Sequence, residues 1–164
     1  MNREAPALSR QLPLWGLVLV LLASILGVVA VKLRPLLDPQ PVLIAPLGPG
    51  CDLAAGPCTS GLPGGGAVSL NVEPRGIPVV TPLHLEVLTR DLDARAVEID
   101  FKGVDMDMGF NRPALTAAGP GRFRGEGMLP TCVRDRMTWE ARVLLQTPRG
   151  LVAVPFRFET GRDR

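Results

Sequence analysis

The sequence predicts an all-β fold, an immunoglobulin-like antiparallel β-sandwich, preceded by one N-terminal transmembrane helix and a Pro/Gly-rich tether. Three observations carry that prediction. A near-unbroken apolar run lies near the start of the chain, a stretch dense in proline and glycine comes after it, and from Ala67 onward apolar residues alternate with polar ones.

Residues 1–11 read as a short cytoplasmic tail. The apolar run LPLWGLVLVLLASILGVVAV spans Leu12 to Val31. At about 1.5 Å rise per residue it matches a hydrocarbon core of roughly 30 Å. A cleaved signal peptide has an apolar core of only about 7–15 residues. Val28-Val29-Ala30 offers a weak cleavage site, but the length favours an uncleaved signal anchor. Arg3 and Arg10 before the span nearly balance Lys32 and Arg34 after it, so flanking charge does not orient it. The short N-terminal tail and the pair Cys51 and Cys58, suited to an oxidising compartment, place the C-terminal part outside the membrane.

Residues 32–66 carry Pro35, Pro39, Pro41, Pro46, Pro49, Pro57 and Pro63 and end on Gly64-Gly65-Gly66. Proline fixes φ and removes a donor, so a linker without regular elements is expected. Val42, Leu43 and Ile44 are the exception; they suit a short edge strand or a contact with the domain. In CDLAAGPC, Cys51 and Cys58 most simply close a disulfide loop. Reduced, they could take Cu(I) or exchange with a partner's thiols.

The domain is expected over residues 67–160. Val68, Leu70 and Val72 alternate, as do Leu83, Leu85 and Val87, and Val97, Ile99 and Phe101. The pattern returns at Met137, Trp139, Ala141, Val143 and Leu145, and at Val152, Val154, Phe156 and Phe158. Period two is the mark of half-buried antiparallel strands. Turn chemistry separates them at Glu73-Pro74-Arg75-Gly76, Arg90-Asp91-Leu92-Asp93, Gly119-Pro120-Gly121 and Pro148-Arg149-Gly150. About seven short strands suit a small sandwich.

Composition excludes some functions. Net charge is +2 with 21% charged residues, which gives no electrostatic case for nucleic acid. His84 is the single histidine and faces away from the core set. No nucleophile elbow accompanies it, so no enzyme is expected. GPGRFRG has no helix after it and reads as a hairpin turn rather than a phosphate loop. Arg112, Arg122, Arg124, Arg134 and Arg136 form either a solvated face or a docking surface for an acidic partner.

The chemistry-bearing pattern is GVDMDMGFNRPAL, residues 103–115. Gly103 interrupts the alternation, as at a bulge, and re-aims the side chains after it. Met106 and Met108 then share a face, while Asp105 and Asp107 point away. Met128 and Cys132 lie in the same window, in MLPTCVRDRMTW. Thioether and thiolate sulfurs are soft donors that favour Cu(I). Methionine is also ordinary core filler, and Met137, alternating with Trp139, reads as core. Met106, Met108, Met128 and Cys132 are the candidate metal ligands.

The run MDMGFNRPALTAAGPGRFRGEGMLPTCVRDRMTWEARVLL, residues 106–145, resembles the central hairpins of FixH-like and YtkA-like periplasmic domains. Met106, Met108, Gly109, Leu115, Gly119, Gly121, Phe123, Gly125, Leu129, Trp139 and Val143 carry the likeness. It implies an immunoglobulin-like sandwich in the periplasm, anchored in the inner (cytoplasmic) membrane. It also implies a role in copper handling or haem-copper oxidase assembly. The pairing of Met128 with Cys132 departs from that pattern, as does the lack of a His-rich tail, which argues against a bulk metal buffer.

The leading expectation is a membrane-anchored protein that holds Cu(I) through Met and Cys sulfurs and passes it to an oxidase assembly partner by ligand exchange. The alternative is a metal-free interaction or scaffold module of a membrane assembly. An oxidoreductase acting through Cys51 and Cys58 comes third; the six residues between them are too many for a thioredoxin-type pair.

Overall fold

The computed structural model describes residues 12–37, 41–47, 50–131 and 136–161. The chain divides into two compact units, Met1–Gln40 and Pro41–Arg164. The first holds α1 (Leu12–Leu37). Its window Trp15–Lys32 has mean hydropathy 2.3, so the helix is long and apolar enough to cross a membrane. The helix continues beyond Val31, the end expected for the span, and passes through Pro35. A proline this close to a C-terminus removes one intrahelical hydrogen bond without stopping the helix.

The second unit is mostly strand: β1 (Leu43–Ile44), β2 (Cys58–Gly61), β3 (Ala67–Glu73), β4 (Leu83–Arg90), β5 (Ala96–Gly103), β6 (Ala114–Gly119), β7 (Arg122–Gly127), β8 (Arg136–Thr147) and β9 (Gly150–Gly161). They form one curled sheet in the order β1-β9-β8-β5-β6-β7-β4-β3-β2. Only β1 and β9 pair in parallel; the other pairings are antiparallel. The curl turns at β6. Ala114 and Leu115 pair with β5, while Thr116 to Gly119 pair with β7 across a register shift.

The alternating residues named from the sequence all face inward. From Val68 on β3 to Phe158 on β9, each is no more than 5% exposed. They join one core cluster with Leu115, Phe123 and Leu129. Trp139 is its largest fully buried side chain, and its indole Nε1 donates to Thr160 Oγ1 at 3.0 Å, so that buried donor is satisfied. The four expected turns lie between β3 and β4, β4 and β5, β6 and β7, and β8 and β9.

The edge strand allowed for Val42, Leu43 and Ile44 is present as β1, but the absence of regular elements expected for the rest of residues 32–66 needs correction. The residues from Pro41 onward belong to the folded unit, and they supply both β1 and β2. Prolines flank these strands rather than occupy them: Pro41 and Pro46 around β1, Pro57 and Pro63 around β2. Short edge strands tolerate such neighbours because their outward donors need no partner. This one segment therefore forms both ends of the sheet. Ser60 Oγ on β2 donates to the Pro46 carbonyl at 3.3 Å, which ties one edge to the chain leaving the other. Leu53 lies between them and is fully buried. Cys51 and Cys58 are disulfide-bonded, and Cys58 belongs to the core.

Candidate functional site

Three stretches gather at one end of the sheet: residues 74–82, 104–113 and 128–131. Backbone hydrogen bonds knit them. Phe101 N–H donates to the Asn111 carbonyl at 2.9 Å, and Val80 N–H to the Leu129 carbonyl at 2.8 Å. Asn111 Nδ2 donates to the Met128 carbonyl at 2.9 Å. Every methionine after the first residue lies on or beside this end.

Gly103, where β5 stops, is the meeting point. A Cβ there would overlap the Met137 Cε methyl and the Met106 carbonyl oxygen, and would touch Met108 Cγ at 3.2 Å. Glycine is what allows the 106–108 backbone to fold back over the start of β8. Val104 N–H anchors the turn on the Thr138 carbonyl at 3.0 Å. Met106 and Met108 are half-buried and packed on the core. Met137 is 5% exposed and part of that core. The run 102–109 lines a hollow of about 500 Å³ beside them.

The strand-end glycine expected at position 103 is present, but it ends the strand instead of bulging it, so Met106 and Met108 sit on an irregular loop. Asp105 and Asp107 are exposed, as expected, and Asp107 Oδ1 accepts the Gly109 N–H at 2.9 Å. Met128 is 50% exposed and sits on the neighbouring connection. Cys132 lies outside the described residues. Met137, read from the sequence as core filler, is core, and it also brings its thioether arm to the same glycine as Met108. Among the described residues, no group of three or more His, Cys, Asp or Glu side chains is placed to hold a metal ion. The described sulfur side chains at this end are thioethers, a donor type that suits soft monovalent ions and needs no deprotonation.

Sequence reasoning missed the apolar surface around the methionines. Phe110 is 81% exposed, Val80 59% and Val104 42%. Phe110 lies over the Arg112 guanidinium, with 5.2 Å from Cζ to the ring centroid. Ile77 and Val80 have φ of 46° and 55°. A β-branched residue in the left-handed region costs about 1–3 kcal/mol. Ile77 offsets this by full burial, whereas Val80 stays exposed and is held by its bond to Leu129. Only the lone Phe110 in a polar run carried a sequence signal.

The other candidates lie elsewhere. His84 is on the outer face of β4, with Nδ1 3.7 Å from Glu126 Oε1. The arginines are largely committed: Arg122 and Arg124 to Glu86, and Arg112 to the buried Asp100, which also holds Lys102. Arg134 is not described. Arg136, at the start of β8, is exposed; the named arginines are thus divided between a buried pair at Asp100 and an exposed group at Glu86.

Comparison with protein-family models, curated proteins and solved structures finds no match. The likeness to FixH-like and YtkA-like domains rests on the motif residues alone.

Proposed function

We propose that the chain is a membrane-anchored copper-binding or copper-delivery protein that holds Cu(I) through sulfur at the loop end of its β-domain. The observation that carries this is that the Met137 methyl, Met108 Cγ and the Met106 backbone carbonyl meet around Gly103, which sets three methionines at one strand end. Met106 and Met108 are the donors with access to solvent; Met137 is the inner neighbour that fixes their floor. Met128, on the adjoining connection, and Cys132 complete the proposed set. Half-burial suits cargo exchange, because a flexible thioether can leave the ion one donor at a time as an acceptor's sulfurs arrive.

The disulfide supports an extracytoplasmic domain, and α1 supports a single-pass anchor. In our reading the domain lies in the periplasm, the anchor lies in the inner membrane, and the curled sheet is an immunoglobulin-like sandwich with β6 passing between its layers. The receiver would be an oxidase subunit or assembly factor. Competition titration of Cu(I) against the full chain in nanodiscs tests the ligand set. Met106→Leu/Met108→Leu should weaken binding by about 10–100-fold, the scale of losing metal-supporting contacts. Cys132→Ser should weaken it as well. Unchanged affinity in both variants contradicts the assignment.

The metal-free interaction module is the second reading. It is favoured by the exposed Phe110, Val80, Val104 and Met128 at the same end, because clustered exposed apolar side chains mark partner contacts. That reading expects no copper uptake by the full chain.

A further inference from the structure

A groove of about 490 Å³ opens at the opposite end of the sheet from the methionines. That volume falls in the range of ordinary small-ligand sites, about 300–1,000 Å³. Four segments wall it: β1, the turn 62–65, the turn 91–93 and the hairpin tip 147–149. Leu43, Leu62, Leu92 and Val152 make its surface apolar.

The walls are fixed against each other. A Cβ at Gly66 would lie 2.9 Å from the Arg90 carbonyl oxygen and 3.0 Å from that of Asp91; one at Gly150 would lie 2.9 Å from Val42 Cγ2. Both glycines also have positive φ, at +88° and +116°, which a side chain would strain. Val42 N–H donates to the Leu151 carbonyl at 2.8 Å, and Leu62 N–H to the Gly66 carbonyl at 3.0 Å. The groove is therefore preformed.

Its rim carries charge that the fold does not use. Asp91, Asp93 and Arg149 are exposed and line the groove. Among the described residues, none of their side chains makes a hydrogen bond or ion pair. The contrast with other carboxylates is direct: Glu86 holds Arg122 and Arg124, Asp100 holds Lys102 and Arg112, and Glu140 holds Arg142 and Arg157.

We propose that this groove binds a zwitterionic phospholipid. An acyl chain lies along Leu43, Leu62, Leu92 and Val152, the ammonium sits against Asp91 and Asp93, and the phosphate meets Arg149. Two carboxylates and one guanidinium on the rim of one apolar groove complement such a headgroup in sign. A soluble zwitterion would satisfy the rim and leave the floor wet. The site shares no residue with the methionine end and stands apart from the copper reading.

Photolabelling the full chain in nanodiscs tests this. The probes are phosphatidylethanolamine and phosphatidylglycerol, each with a diazirine in the acyl chain, and labelled residues are read by mass spectrometry. Phosphatidylethanolamine should label Leu43, Leu62 or Leu92 in addition to α1. Phosphatidylglycerol should label the groove about tenfold less, the scale of one charge-assisted contact. Asp91→Asn/Asp93→Asn should reduce the phosphatidylethanolamine label by a similar factor; asparagine tolerates the left-handed φ of position 91. Labels confined to α1, equal groove labelling by both lipids, or an undiminished label in a folded double variant would overturn the proposal. Because the two lipids are compared on the unaltered chain, the result stands even where the variant fails to fold.

Discussion

Residues 41–61 and residues 104–113 are both irregular, glycine- and proline-bearing stretches, and the fold treats them in opposite ways. The first is pinned at every level. It supplies the two edge strands, buries Leu53 completely, closes a disulfide and passes the Ala54 carbonyl to the Gly76 N–H at 2.9 Å. The second is hydrogen-bonded to its neighbours through Val104, Asn111 and Pro113, but it sets its methionines only half-buried on the core and leaves Phe110 81% exposed. Irregular backbone that is buried and cross-linked completes a core; irregular backbone that displays apolar and soft side chains is, in the proposed reading, the part available to something outside the chain.

That contrast can be broken most severely by truncation. A fragment of residues 41–164 should fold, whereas one of residues 67–164 loses both sheet edges, Leu53 and the disulfide, and should give a disordered circular dichroism spectrum. Folding of the shorter fragment would return residues 41–66 to the role of a linker. Next in size, Leu53→Ala should destabilise the domain by about 2–5 kcal/mol, the range for a buried leucine, read from the shift of its urea midpoint. A negligible shift would mean that the pinned segment is not part of the core. Smallest is Phe110→Ala, which should move that midpoint by less than about 0.5 kcal/mol. A large loss there would make the displayed loop structural and weaken the contrast.

The parts legible in the sequence were those set by local period and turn chemistry. The inward residues of β3, β4, β5, β8 and β9 came from alternation alone, because a pleated strand leaves no other face for them. The turns came from their glycines, prolines and aspartates. What stayed hidden depends on contacts far apart in the chain. The proline-rich residues 41–66 were read as a linker because proline argues against central strands, and its neutrality at a sheet edge shows only once the edge exists. Leu53, one leucine between two cysteines, gave no period to read. The convergence at Gly103 was half visible: the glycine and the two loop methionines stood out, but Met137 was assigned to packing because its alternation was correct. The left-handed Ile77 and Val80 had no sequence signal, since β-branched residues are the last expected there.

The most direct measurement is X-ray absorption at the copper edge on the full chain loaded with one equivalent of Cu(I). Thioether-centred binding at the loop end predicts a first shell of sulfur alone, which changes in Met106→Leu/Met108→Leu. A shell of nitrogen or oxygen, or a sulfur shell that the double variant leaves intact, would contradict it.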